Sequence, residues 1–547
     1  MKPMFTPKRR LIAGLLALAL VGNAAAASAS DERESLEMLR ETTLNLIDAL
    51  VDGGVFTREK ADELVKAAQA SAARSAAKQK AATPATVRVQ YVPETVKNEI
   101  REQLRQEVLA QAKQERWAEP NAVPSWLDRI KWEGDLRLRY QNEEYGDSNA
   151  DPLAYIFATL GGTTRATGFL AADNTRGTTA NTQDDRDRLR LRARLGMQAR
   201  VSEEWSAGIR LATGSETDRV STNQTLGQDF NKYSLYVDRA YLKYDPAEWL
   251  SLSGGRIPNP WFSTDLVWDE DLSFEGVAAT FKPVFAEGAV RPFLTIGAFP
   301  IRESNPTASD SRWMQGVQAG ARLKLGHRSQ LTLGAAMYRF DGIEGELEAD
   351  PALNFVPEFG QYEYGRGLRQ KGNTLFYTDR NRTDGTAPNI WGLASRFRPV
   401  NLTASLDLAH FDPVHVILTA DYVKNTQFDR GEMQRRTGLS ITDGKDYGYQ
   451  YRLTVGMPKL ENLHDWQASF SYRYLGSDAV LDAFTDSDFG LGGTNLKGYQ
   501  IGFQYGVQQN AWLGMRWLSA ESIDSFAPNT SYRYAVDVLQ ADVNVRF

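Results

Sequence analysis

The amino-acid sequence predicts an all-β transmembrane fold: an antiparallel up-and-down β-barrel of about sixteen strands, preceded by a short α-helical segment. Three observations carry that expectation. Apolar and polar residues alternate with a period of two in segment after segment beyond Trp126. The connections between those segments alternate between long and short. The chain also opens with an export signal and ends on an alternating strand whose last residue is Phe547.

Composition narrows the alternatives. The 547 residues include 63 Lys+Arg, 69 Asp+Glu, 4 His and no Cys. Without cysteine there is no disulfide scaffold, thiolate zinc site or Cys nucleophile. A hydrophobic fraction of 42% and a mean hydropathy of −0.44 cannot supply several apolar helices of about 20 residues. The same values suit a barrel, whose strands dilute their own hydrophobicity, and 44 Gly, 22 Tyr, 24 Phe and 12 Trp suit turns, strands and interfacial aromatics.

The elements follow in order. Lys2, Lys8, Arg9 and Arg10 precede the apolar run Leu11 to Val21 and the small residues Ala24 to Ala29, the layout of a secretory signal peptide over 1–29. Its removal takes away four positive charges and no acids, so the formal charge of −6 becomes −10. Such an acidic chain offers no basic face for nucleic acid. Residues 30–124 read as helical. Leu36, Leu39, Leu46, Ile47 and Leu50 form one stripe, Gly53 and Gly54 stop it, Thr57 caps a second helix, and Pro93 opens a third with Ile100, Leu104 and Val108. These helices are short and polar, which fits either a coiled-coil contact or a solvated spacer.

Residues 125–547 read as strands. Leu189, Leu191, Ala193 and Leu195 alternate with Arg188, Arg190, Arg192 and Arg194, an arrangement that puts every guanidinium on one wet face. The pattern places strands at 131–141, 187–199, 205–213, 235–244, 249–256, 273–281, 291–299, 315–325, 330–340, 401–411, 414–424, 447–457, 465–475, 496–506, 511–520 and 532–547. Every long connection, the longest being 142–186 and 341–400, then falls on one rim and every short turn on the other. A sandwich has no reason to produce that alternation.

At this level the chain resembles a known family, the Putative porin family of Gram-negative outer membranes. The resemblance rests on LVDGGVFTREKADELV (Leu50 to Val65), VQYVPETVKNEIREQ (Val89 to Gln103), WLDRIKWEGDLRLRY (Trp126 to Tyr140) and GRIPNPWFSTDLVWDEDLSFEG (Gly255 to Gly276). It implies an outer-membrane barrel that passes small hydrophilic solutes, with the helical segment in the periplasm and no cofactor. Separately, the alternating C-terminal strand ending in Phe547 resembles the one by which barrel-insertion machinery recognises outer-membrane barrels, and the apolar helical stripe beside a barrel of this size leads to the expectation of a homo-oligomer, most plausibly a trimer, in contact with outer-membrane lipid and lipopolysaccharide. General porins fold their third external loop into the lumen. Here that loop is Ile257 to Leu272, carrying Asp265, Asp269, Glu270 and Asp271, and the expected pore lining is Arg137, Arg139, Arg188, Arg190, Arg192, Arg194, Arg210, Arg452 and Arg473. Few acids are expected on that lining, so a modest anion preference follows, with the acidic loop opposite the basic wall. A surface adhesin using loops 142–186 and 341–400 is the alternative.

Enzyme readings find little support in the sequence. His410 and His415 flank the Asp412-Pro413 turn without a donor set for zinc, and no nucleophile elbow or P-loop occurs. Asp486, Asp488 and Gly490 form an incomplete calcium-loop pattern that reads as a solvated loop.

Overall fold

The computed structural model describes residues 129–149, 181–283, 288–303, 311–326, 328–348, 360–365, 368–379, 390–438, 440–441, 444–524 and 533–547. The chain divides into Met1–Pro120 and Asn121–Phe547, and everything described belongs to the second. The signal peptide and the helices expected over 30–124 lie outside the described residues.

Sixteen long strands form the wall: β1 Ile130–Tyr145, β2 Arg186–Arg200, β3 Trp205–Ala212, β4 Tyr236–Ala247, β5 Leu250–Pro258, β6 Ser273–Phe281, β7 Val290–Arg302, β8 Arg312–Leu325, β9 Ser329–Asp341, β10 Pro399–Phe411, β11 Val414–Asn425, β12 Tyr447–Gly456, β13 Trp466–Leu475, β14 Leu496–Gln508, β15 Ala511–Ser522 and β16 Ala535–Arg546. Each pairs antiparallel with its sequence neighbours, and β16 pairs with β1 from Asp135↔Arg546 to Tyr145↔Val536. Phe547 completes that seam. Its N–H donates to Gly134 O at 3.0 Å, and Gly134 N–H donates back to Phe547 O at 2.8 Å. Closure leaves no unpaired strand edge, which is what a β structure in lipid requires.

The sixteen expected strands all occur, several of them longer than expected at the long-loop rim. Elements that the alternation did not announce lie in the loops. A short piece, Gln224–Thr225, adds to β2, the pair Leu375–Tyr377 and Trp391–Leu393 forms a separate ladder, and a helix spans Arg430–Thr437. Asp429 caps that helix by accepting from Glu432 N–H at 2.9 Å.

The wall turns its apolar phase outward. Leu138 is 46% exposed while its neighbour Arg139 is 0% exposed, so the outer face is oily and the inner face polar and filled. Near the short turns, Trp205 stacks on Tyr244 with centroids 4.5 Å apart and Trp249 on Phe281 at 6.2 Å, the start of an aromatic girdle.

The long connections, named L1 to L8 in chain order, do not all stand clear of the barrel. L3 (259–272) turns inward: Trp261, Leu266, Val267 and Trp268 are buried against Phe274, Phe299, Met314, Tyr338 and Phe340. Trp268 meets Phe274 and Tyr338 edge-on at 5.1 and 5.0 Å. One sector of the inner wall, from β6 to β9, is therefore apolar, and it is the seat on which L3 rests.

Candidate functional site

L3 crosses the lumen because its two faces differ. Its aromatic side sits on β6 to β9, and its polar atoms bond both to that sector and to strands farther round the barrel. Phe262 N–H donates to Gln318 Oε1 on β8 at 2.8 Å, and Gln318 Nε2 returns a bond to Phe262 O at 2.7 Å. Thr264 Oγ1 donates to Asp421 Oδ2 on β11 at 2.5 Å.

Its acids make the remaining connections. Asp265 lies 2.7 Å from Arg452 Nη2 on β12 and 2.7 Å from Arg473 Nη2 on β13, and it accepts from Gln450 Nε2 at 2.8 Å. Asp271 lies 2.9 Å from Arg194 Nη1 on β2 and accepts from Thr222 Oγ1 at 3.0 Å. Asp269 is buried and accepts backbone N–H bonds from Asp271 at 2.7 Å and Ser487 at 2.9 Å.

A second loop joins it. L7 (476–495) brings Asp486 to 3.1 Å from Arg473 Nη1, and Asp488 to 3.1 Å from Arg139 Nη1 and into contact with Arg516 on β15. Together L3 and L7 form a strap across the lumen, anchored to the wall by Asp–Arg pairs at β1, β2, β12, β13 and β15. Such pairs are partly desolvated, and their bidentate geometry fixes position as well as charge.

Beneath the strap lies a cavity of about 220 Å³. Arg137, Arg139, Arg192, Arg516 and Asp542 contribute from the wall, and Asp265, Asp269, Glu270, Asp271, Asp486 and Asp488 from the loops. A second cavity of about 500 Å³ opens beside L3 among L2 (213–235), Arg256, Trp268, Phe274 and Phe340.

All nine expected wall arginines face inward. Arg188 pairs with Glu143, Arg192 with Asp135 at 2.9 Å, Arg194 with Asp135 at 2.7 Å, Arg210 with Asp238, and Arg139 with Asp542 at 2.7 Å. Among the described residues, Arg137 and Arg190 donate only to amide oxygens, Asn223 Oδ1 at 2.6 Å and Gln141 Oε1 at 3.3 Å.

Three expectations need correction. The inner wall holds more acids than expected: Asp135, Glu143, Asp238 and Asp542 stand on it, each bonded to an arginine. The loop acids Asp265 and Asp271 do not face the arginines across open water; they touch them. Asp486 and Asp488, read as part of a solvated loop, are in fact members of the strap. Register explains the first, and the inward folding of L3 and L7 the other two. Side chains in the same phase of adjacent strands are neighbours, so Asp135 beside Arg194 and Asp542 beside Arg139 are cross-strand pairs.

Above the strap, L5 (342–398) locks onto L7. Asn373 Nδ2 donates to Ser477 O at 2.6 Å and Val480 O at 2.8 Å, Thr374 N–H and Oγ1 both bond Asp478, and Tyr364 OH donates to Asp482 Oδ1 at 2.6 Å. Burial pushes the Asp482 carboxyl up to about 6 and the Lys371 amine down to about 7. The two effects combine into a window. Ionising Asp482 weakens the folded loops as pH rises from about 4 to about 6, whereas the cost of charged Lys371 persists below about 7 and is relieved toward about 10.4. The urea midpoint for loop unfolding, followed by tryptophan fluorescence, is expected to be lowest between about pH 6 and 7. Asp482→Asn should remove the rise on the acid side, and a midpoint that does not vary with pH would contradict the assignment.

Comparison with known proteins was made against this geometry. The family described as Putative porin matches residues 40–547. No curated relative matches. Among solved structures, the chain is similar to Salmonella typhi OmpF in complex with daunomycin (10% identity, 76% of this chain and 97% of that one, TM-score 0.35). It is also similar to the outer-membrane channel DcaP of Acinetobacter baumannii (12%, 76% and 97%, 0.36) and to Pseudomonas putida OprB at high pH (10%, 77% and 95%, 0.42). A closed barrel with an oily exterior and a narrowed polar lumen, together with a family match over nearly its whole length, identifies this chain as a member of the Putative porin family of outer-membrane channels.

Proposed function

We propose that the barrel is a passive diffusion channel for small hydrophilic solutes and ions, with the strap of L3 and L7 setting its size limit. The observation that carries this reading is the polar cavity of about 220 Å³ between the strap and the wall, inside an otherwise closed sheet. A sixteen-strand barrel is wide enough to hold an aqueous channel, and charged side chains at its narrowest level sort what enters.

The outward apolar belt meets outer-membrane lipid and lipopolysaccharide. In this reading, segment 30–124 is periplasmic once 1–29 is removed. It acts there as a coiled-coil contact between the copies of a homotrimer, and Phe547 is the residue that barrel-insertion machinery reads. No catalytic role is assigned. The adhesin alternative is weaker because the described part of L5 commits Asn373, Thr374 and Tyr364 to L7 rather than to a free surface.

Purified protein in planar bilayers is expected to give discrete, ohmic conductance steps in KCl. Folded, heat-modifiable barrel that inserts without conductance would refute the channel reading.

A further inference from the structure

The cavity under the strap is lined by two ionisable side chains that make no direct ion pair among the described residues. Most of its charged lining sits in the ion pairs described above, and Asp269 is held by backbone N–H groups. Arg137 and Glu270 stand apart. On the wall, Arg137 Nη2 donates to the neutral Asn223, while its buried Nε has no partner. On the strap, Glu270 is exposed and makes no hydrogen bond or ion pair among the described residues. Both line the 220 Å³ cavity, which has room for roughly seven water-sized groups at about 30 Å³ each. Fields from unpaired charges are stronger between low-dielectric walls than in open water.

We propose that this cavity is a subsite for small dipolar solutes, those carrying a carboxylate and an ammonium group a few bonds apart, in the size class of the smaller amino acids. The inference rests on the channel reading and names its solute class. The carboxylate takes the donor fork of Arg137, which is geometrically suited to two parallel bonds, and the ammonium faces Glu270. An uncharged solute of equal size gains neither interaction. A simple ion gains one and is repelled by the other.

Osmotic swelling of proteoliposomes tests it, with serine and erythritol as probes and protein-free vesicles subtracted. Wild-type channels are expected to admit serine about threefold faster than erythritol, and Arg137→Gln and Glu270→Gln should each bring that ratio close to one. KCl conductance of the same preparations reports separately whether a channel is present. Conducting wild type with equal serine and erythritol rates overturns the dipolar subsite and leaves the channel reading intact, whereas absence of conductance overturns both. Loss of the serine advantage in Arg137→Gln but not in Glu270→Gln marks an anion site, and that too overturns the proposal.

Discussion

Replacing Asp265 with Ala is expected to raise single-channel conductance about twofold or more and to shift the reversal potential toward anions. Asp265 is the hub of the far anchor, bonded at once to Gln450, Arg452 and Arg473, with its side chain 11% exposed. Removing one partner of a buried, hydrogen-bonded ion pair costs about 3–5 kcal/mol, because the remaining charge is left uncompensated. Here Arg452 is left without its acid, while Arg473 keeps Asp486. The base of L3 stays seated through Trp261 and the Phe262–Gln318 bonds, so the barrel persists while the segment from Asp265 onward loosens and the lane widens. The newly unpaired Arg452 then adds uncompensated positive charge to the wall. Unchanged conductance together with an unchanged reversal potential would show that this anchor does not shape the lane.

The second large effect is expected at Arg139. It is fully buried and grips Asp542 with Nε at 2.7 Å and Nη2 at 2.9 Å, while Nη1 reaches Asp488 at 3.1 Å. Arg139 and Asp542 are register partners across the seam where β16 closes on β1, so one side chain ties the last strand to the first and L7 to both. Arg139→Ala leaves Asp542 without this pair and Asp488 with Arg516 and Gln540, at a cost of about 3–5 kcal/mol. The expected result is a marked fall in the temperature at which the folded band converts to the unfolded one on electrophoresis. Arg139→Lys should recover only part of it, since an ammonium cannot span both oxygens of Asp542 and also reach Asp488. A conversion temperature equal to wild type would contradict the seam assignment.

The wall was legible in the sequence because a strand in lipid has a strict period. Arg188, Arg190, Arg192 and Arg194 could face only one way once Leu189 and Leu191 were given to the membrane. What periodicity does not carry is partnership. Asp135 and Asp542 occupy the same phase as the arginines in plain view, yet that they neutralise Arg194 and Arg139 follows only from the register between strands.

The loops were harder for a related reason. Asp488 is 349 residues from Arg139, and nothing in the local pattern of L7 announces that contact. The seat for L3 was hidden too: Tyr338 and Phe340 fall in the inward phase of β9, where the alternation rule expects polar side chains. L3 itself announced an inward role only through its resemblance to a family segment, and its acids were legible as a group without indicating which would pair and which, like Glu270, would stay free.

The central claim is that L3 lies inside the conducting lane, and a single cysteine tests it most directly because the chain has none of its own. Single-channel current through Glu270→Cys, recorded before and after a bulky membrane-impermeant thiol reagent, should fall by about half or more as the label fills a cavity of only about 220 Å³. A matched label at Leu138→Cys, on the outer face, should leave the current unchanged. Current through labelled Glu270→Cys that equals the unlabelled value, with labelling verified by mass, would place L3 outside the path of ions and contradict the account.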